Sequence, residues 1–432
     1  GEGREGDPSM TRLLWVVNIV PLKAAQALNL PGAPTGGWIG EMIDQLSSHP
    51  EIDLHVVIKA AIPSRLKEKA GSVTYHVLPM KGQDVHEADA LAVFQEANPD
   101  LLHVEGTEFP HATTFLRLWK GMNVVSLQGI LHGYEPYQHG DLPMLKLLTS
   151  GRSSLTALAL IYRKKKLFMP RLANEAETIG MAKNLLGRTH WDRAHSYALN
   201  PKAPYFVCRR TLRPPFYEGP KWSLDKATPC RIFAGNTWAP LKGFHWLVQA
   251  AAHLRSEFPN VSIAAAGASP YAGSQGGRFS RQIGYPAYLR GLVKDLGMED
   301  RITFTGPLNA SEMAGQLRQS HVYVLASTIE NSPNTLGEAM MIGTPCIAAY
   351  SGGVCDMMEH GREGLVYRAD DHRILAYQLK TIFEDPSLAH DYSQAAQQRA
   401  LRNHDRADNY RDLLAAYSQI LNRPLDKAVF PQ

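Results

Sequence analysis

The residues best placed to do chemistry concentrate in one stretch, Ala326 to Pro345, which reads ASTIENSPNTLGEAMMIGTP. Pro333 has no backbone N–H, which suits it to the first position of a helix, with Ser332 as the expected N-cap. The N–H groups of Asn334, Thr335 and Leu336 would then lie unpaired at a helix N-terminus, where the helix dipole favours an anion. Glu330 precedes that turn and Glu338 follows it. An ionised carboxylate only accepts hydrogen bonds, so either suits the hydroxyls of a sugar attached to the anion. Upstream, AGNTWAPLKGF (Ala234 to Phe244) places a glycine turn after an apolar run and Lys242 at the start of a helical pattern. An ammonium there can reach phosphate oxygens as a point charge. Singly, each residue has an ordinary reading as part of a capped helix or a solvated surface. Two anion-seeking elements in one half of a chain favour a phosphate-bearing ligand.

Something must hold those elements together. The chain has 432 residues, 44% hydrophobic and 20% charged, enough for two domains of roughly 200 residues each. Apolar runs at 12–20, 52–58, 73–78, 101–106 and 123–129 read as strands, with helical patterns at 38–46, 85–97 and 111–119 between them. The proline-rich stretch Thr211 to Pro229 breaks the periodicity and reads as a linker. A second series follows, with strands at 230–235, 261–267, 302–306, 322–327, 345–350 and 364–368, and mostly helix from Asp371 to Leu421. Such alternation predicts an α/β fold with two mostly parallel sheets, that is, two Rossmann-like domains facing across a cleft. The expected boundaries are an N-terminal domain at 10–210, a linker at 211–229, a C-terminal domain at 230–405 and a helix at 406–432 crossing back to the N-terminal domain. Open α/β sheets bind ligands beyond the carboxyl ends of their strands, so the chemistry belongs in strand-to-helix loops.

Several classes are disfavoured. Four scattered cysteines (Cys208, Cys230, Cys346, Cys355) with no CxxC pair argue against zinc ribbons and disulfide staples, and fit a reducing compartment. Seventeen histidines include no HExxH or close His/carboxylate cluster, so no metal site is expected. Pro31 to Gly37 does not supply the GxGxxG of a nicotinamide enzyme. No run reaches the ~18 apolar residues of a membrane span. The opening GEGREGDPS reads as a leftover of recombinant expression, with Met10 the natural start. From Lys146 to Arg213 there are 14 Lys+Arg and 3 Asp+Glu, a local +11 against −7 for the rest. That block points to a phosphate-rich partner or an anionic surface, while no nucleic-acid-binding motif accompanies it.

Glu330 and Glu338, with PN between them and GEAM and GTP after, resemble the donor-site signature of the retaining nucleotide-sugar glycosyltransferases of family four. Leu241-Lys242-Gly243 is similar to that family's second signature, and Ser351-Gly352-Gly353 with GREGLVY to its continuation. The first half is similar more loosely, through PDLLHVEG, VVSLQG, Gly36-Gly37 and GRTHWDR, to enzymes that build bacterial surface polysaccharides. The resemblance implies a GT-B fold and a hexosyl transfer with retention. The nucleotide diphosphate sugar would sit on the C-terminal domain and a saccharide or lipid-linked acceptor on the N-terminal one, with no metal and no cofactor. It implies that Lys242 neutralises the leaving diphosphate and the amides of Asn334, Thr335 and Leu336 bind its oxygens. Glu338 would hold the ribose hydroxyls and Glu330 the transferred sugar. Gly36 and Gly37 would let a loop approach the phosphates, and Leu308, after Gly306, would pass beside the base.

Two departures stand out. Asn236 occupies a donor-side position where many relatives carry arginine, and Gln128 one where many carry histidine. Glu105, Gln128 and His132 are the acceptor-side candidates. Fold-A glycosyltransferases are disfavoured by the lack of any Asp-x-Asp triplet. Three alternatives stay open: a non-catalytic nucleotide-sugar-binding assembly protein, and a nucleotide-sugar 2-epimerase or a sugar phosphorylase of the same fold. The segment Thr156 to Leu172 mixes apolar residues with Arg163, Lys164, Lys165, Lys166 and Arg171. It is expected to lie on an anionic membrane face, a solvated helix or contact with the acceptor's own diphosphate being the other readings. The expected location is cytoplasmic, peripheral on the inner face of the cytoplasmic membrane.

Overall fold

A computed structural model describes residues 10–30, 37–150, 158–159, 162–271 and 284–425. Gly36, the opening nine residues, most of the loop 267–282 and residues 156, 157, 160 and 161 of the basic segment lie outside the described residues. The chain divides into two compact units.

The first unit draws on Gly1–His132, Met169–Thr211 and Asp405–Gln432. Its sheet has eight strands: β1 (Thr11–Val16), β2 (Ile52–Ala60), β3 (Leu66–Ala70), β4 (Val73–Pro79), β5 (Leu101–Glu105), β6 (Met122–Ser126), β7 (Leu185–Gly187) and β8 (Tyr205–Val207). Their order is β3-β4-β2-β1-β5-β6-β7-β8, parallel except for the antiparallel β3–β4 pair. Near-continuous burial along β1, β2 and β5 is what a parallel strand covered on both faces requires. The C-terminal helix Arg406–Leu421 belongs to this unit: Tyr417, Leu413 and Leu414 share a core with Leu13, Trp15 and Leu54. The Tyr417 hydroxyl lies 2.6 Å from His103 Nδ1.

The second unit comprises Gly133–Phe168 and Leu212–His404. Its six strands are β9 (Thr228–Ala234), β10 (Ser262–Ala265), β11 (Ile302–Phe304), β12 (Ser320–Leu325), β13 (Cys346–Ala349) and β14 (Leu365–Tyr367). The order is β11-β10-β9-β12-β13-β14, parallel throughout. The strand order reverses between β9 and β12, which makes their carboxyl ends the natural binding crevice of this sheet.

Two segments depart from the sequence reading. Gly133–Phe168, expected in the N-terminal domain, groups with the second unit, where Leu142 and Leu147 join the core. Residues 212–229, expected as a linker, also pack there. Phe216 is fully buried, and Trp222 donates from its backbone to Ile342 and from its indole to Ser320, each at 2.8 Å. Prolines that read as linker punctuation instead shape short turns around buried aromatic anchors.

Candidate functional site

The pocket at the β9/β12 crevice is lined by Gly235, Asn236 and Thr237 after β9, by Lys242, by Ala326, Ser327 and Glu330 after β12, and by Thr335. Local stitching brings these loops together. The turn Pro240–Lys242 ends at Gly243, whose φ of +66° is left-handed. A Cβ at Gly243 would meet the Ala326 carbonyl oxygen at 1.9 Å, so only glycine allows this approach. The Thr328 amide donates to the Leu241 carbonyl at 2.8 Å. The same device recurs opposite, where Gly352 sits against the Glu330 carbonyl and a Cβ would come within 1.8 Å of it. The Gly353 amide donates to that carbonyl at 3.0 Å. With both sides pinned, Lys242 Nζ lies 2.5 Å from Glu330 Oε1, and the glutamate is only 12% exposed.

The helix Asn334–Ile342 starts beside this pair. Pro333 is its N-cap rather than its first residue, and no side chain caps it, so Ser332 does not act as expected. The Ser332 hydroxyl turns to Met357 Sδ. Among the described residues, the amides of Asn334 and Thr335 have no hydrogen-bond partner, as the first turn of a helix dictates. The Leu336 amide, expected to be free, donates to the Pro333 carbonyl at 3.2 Å. Thr335 Oγ1 accepts from the buried Tyr323 hydroxyl at 2.8 Å, which anchors the helix start to β12.

One turn further along, Glu338 is buried at 4% side-chain exposure, with Arg213 Nε and Nη2 at 3.0 and 2.7 Å from its Oε1. Burial pushes its carboxyl up to about 7, against the opposing pull of Arg213. Its Oε2 is buried with no hydrogen-bond partner among the described residues. A buried acceptor without a donor is costly, and a ligand hydroxyl would relieve it. Arg213 was not legible as a site residue, since it stands in a proline-rich stretch 125 positions from its partner. Asn236 is exposed and its Oδ1 accepts from the Trp238 amide at 2.9 Å. Leu308 packs on the core of this unit, after Gly306 pairs with Gly267 in an isolated bridge.

The acceptor-side candidates fall in the first unit. Glu105, expected to face an acceptor, is 2% exposed and paired with Arg210 at 3.0 Å, so its carboxylate is committed inside the protein. Burial raises its pKa, with Arg210 opposing. Gln128 exchanges two hydrogen bonds with Asn18, at 2.9 and 3.2 Å, and donates to Glu105 at 3.4 Å. His132 is different: it is a third exposed and its Nδ1 lies 2.9 Å from the fully buried Glu175. Sequence reasoning missed Glu175, although it is one of only three acids in the basic block. Gly37 opens the helix Gly37–Ser47. No group of three or more His, Cys, Asp and Glu suited to a metal occurs among the described residues.

The switch point of this parallel sheet carries a lysine, a helix N-terminus and a buried carboxylate with one unpartnered oxygen, groups chemically suited to a phosphate and to hydroxyls. Residues 223–399 match the family described as Glycosyl transferases group 1. D-inositol 3-phosphate glycosyltransferase of Arthrobacter sp. (strain FB24) is 32% identical over 167 residues, 38% of this chain. The match spans 37% of that relative's length. Among solved structures, sucrose-phosphate synthase from Thermosynechococcus elongatus covers 95% of this chain and 99% of its own, with a TM-score of 0.68 and 15% identity. Anabaena Alr3699/HepE in complex with UDP and glucose covers 94% and 99%, with a TM-score of 0.64 and 17% identity. These likenesses give the chain the GT-B fold.

Proposed function

We propose that this protein transfers a hexosyl group, with retention, from a nucleotide diphosphate sugar held in the β9/β12 crevice to a saccharide or lipid-linked acceptor. The observation that carries the reading is the Lys242–Glu330 pair, pinned at the switch point beside the open amides of Asn334 and Thr335. Lys242 and those amides bind the diphosphate. Breaking the glycosidic bond adds negative charge to that group and leaves an oxocarbenium-like sugar. Fixed donors therefore stabilise the transition state more than the bound donor. Glu330 positions the lysine and contacts the transferred sugar. The unpartnered Oε2 of Glu338 accepts from the ribose hydroxyls, with Arg213 holding the carboxylate in place. Asn236 contacts the donor and Leu308 flanks the base. The family match, and a fold-level neighbour described with UDP and glucose bound, support a nucleotide-sugar donor.

The basic segment is proposed to rest on an anionic membrane face. Leu158, Tyr162, Leu167 and Met169 are all exposed beside Lys165 and Lys166, an amphipathic combination suited to the lipid interface. No helix among the described residues is long and apolar enough to cross a membrane.

The test is a thermal-shift screen of nucleotide sugars with excess EDTA, followed by transfer assays with the best ligand and NMR of the product's anomeric configuration. A binding donor raises Tm in proportion to its binding free energy. Lys242→Ala is expected to lower kcat by ~10²-fold or more, the usual cost of losing one oxyanion-type contact. Donor binding without transfer or hydrolysis would favour the assembly-protein alternative. Product with inverted configuration, or indifference to Lys242→Ala, would overturn the reading.

A further inference from the structure

On the first unit, four donors converge on the carboxylate of Glu175. Thr107 Oγ1 and the Leu131 amide reach Oε2 at 2.9 and 2.8 Å; the His132 amide and His132 Nδ1 reach Oε1 at 3.0 and 2.9 Å. Glu175 is fully buried on the helix Met169–Met181. A carboxylate with both oxygens doubly engaged accepts only, so the proton of a neutral His132 ring belongs on Nδ1. Nε2 is then a bare acceptor on a ring a third exposed, and no described residue hydrogen-bonds to it. The donors come from the loop after β5 (Thr107) and from the start of the short helix Leu131–Tyr134 after β6, both beyond carboxyl ends of parallel strands. The helix His190–Leu199, after β7, brings His195 into electrostatic range of both Glu175 and His132. The His195 ring lies 4.5 Å from Trp191, which is half-buried.

A directional acceptor, with a half-buried indole on the helix that carries His195, suits a saccharide, which has hydroxyls to donate and a C–H face to stack. We propose that His132 is the hydroxyl-binding residue of a saccharide subsite on the first unit. Glu175 is its positioning residue, fixing the Nδ1–H tautomer, and Trp191 is the stacking surface. The inference rests on the reading that the chain handles sugars, but it concerns a site other than the donor crevice.

Long-range ¹H–¹⁵N spectra of the histidine rings test it, with His132 assigned by loss of its signals in His132→Gln. The full chain at neutral to alkaline pH is expected to show His132 as the Nδ1–H tautomer. Its Nε2 signal is expected to shift saturably on titration with one or more of glucose, galactose, mannose and inositol. Glu175→Gln, if it folds, is expected to scramble the tautomer. In transfer assays, His132→Gln is expected to raise the acceptor KM by tenfold or more while the donor Kd stays unchanged. An Nε2–H tautomer, or no response to any of the four probes, overturns the proposal. Nucleotide sugars binding normally in either case would leave the donor-site reading standing, so the two failures are distinguishable.

Discussion

At the residue scale, Glu338 carries the clearest pH signature. Burial raises its carboxyl from the usual range to about 7, so near neutrality it is partly protonated. On the proposed reading, the donor hydroxyls are accepted more strongly by the ionised form. Donor affinity is therefore expected to strengthen several-fold between pH 6 and 8, and Glu338→Gln is expected to flatten that dependence. Calorimetric titration of the best nucleotide sugar across that range checks it; a flat wild-type profile would contradict it. Reading the sequence exposed one layer of this site and concealed the next. Lys242, Glu330, Asn334 and Thr335 were legible because helix-start chemistry and short spacing announce them. Arg213 and Glu175 were not, because their roles come from tertiary neighbours 125 and 43 positions away, which local patterns do not encode.

At the scale of elements, two loops are held by glycines that tolerate no side chain. In Gly243→Ala a methyl group would collide with the Ala326 carbonyl at a left-handed φ, so the lysine turn must lift from β12. The expected cost is about 1–3 kcal/mol of stability, together with loss of donor binding; Tm and donor Kd measure the two. Gly40→Ala makes a useful contrast: it lies within the helix Gly37–Ser47, and a Cβ there meets nothing within 4 Å. It is expected to stabilise by roughly 0.5–1 kcal/mol. The long buried strands, such as β2 and β12, could be read from apolar runs. Strands β7 and β8, three residues each, are too short to show a period. LKEKA in β3 looks like a charged loop because it is an exposed antiparallel edge.

For the molecule as a whole, buried histidines set the acid limit. Burial pushes His76 and His321 down to about 4, and His103, His111 and His245 to about 3. Each is lowered in the folded chain, so the unfolded chain takes up protons first as pH falls below about 6.5. The stability these groups contribute is complete above that pH and is lost toward pH 4 and below, by about 1.4 kcal/mol per pH unit and per histidine at most. Glu338, raised in the folded state, acts in the opposite sense, gaining as pH falls through 7. Burial raises Glu105 and Glu108 in the same sense, so five histidines stand against three such glutamates, and the urea midpoint is expected to drop from pH 7 to 5. An unchanged midpoint would refute this.

Tyr417 and its neighbours complete a hydrophobic core begun by Leu13 and Trp15, with almost the entire polypeptide intervening. On the ribosome, the first half to be translated must therefore wait for the last helix to emerge before it can close. The intervening unit, whose own strands lie near one another in sequence, has no such delay.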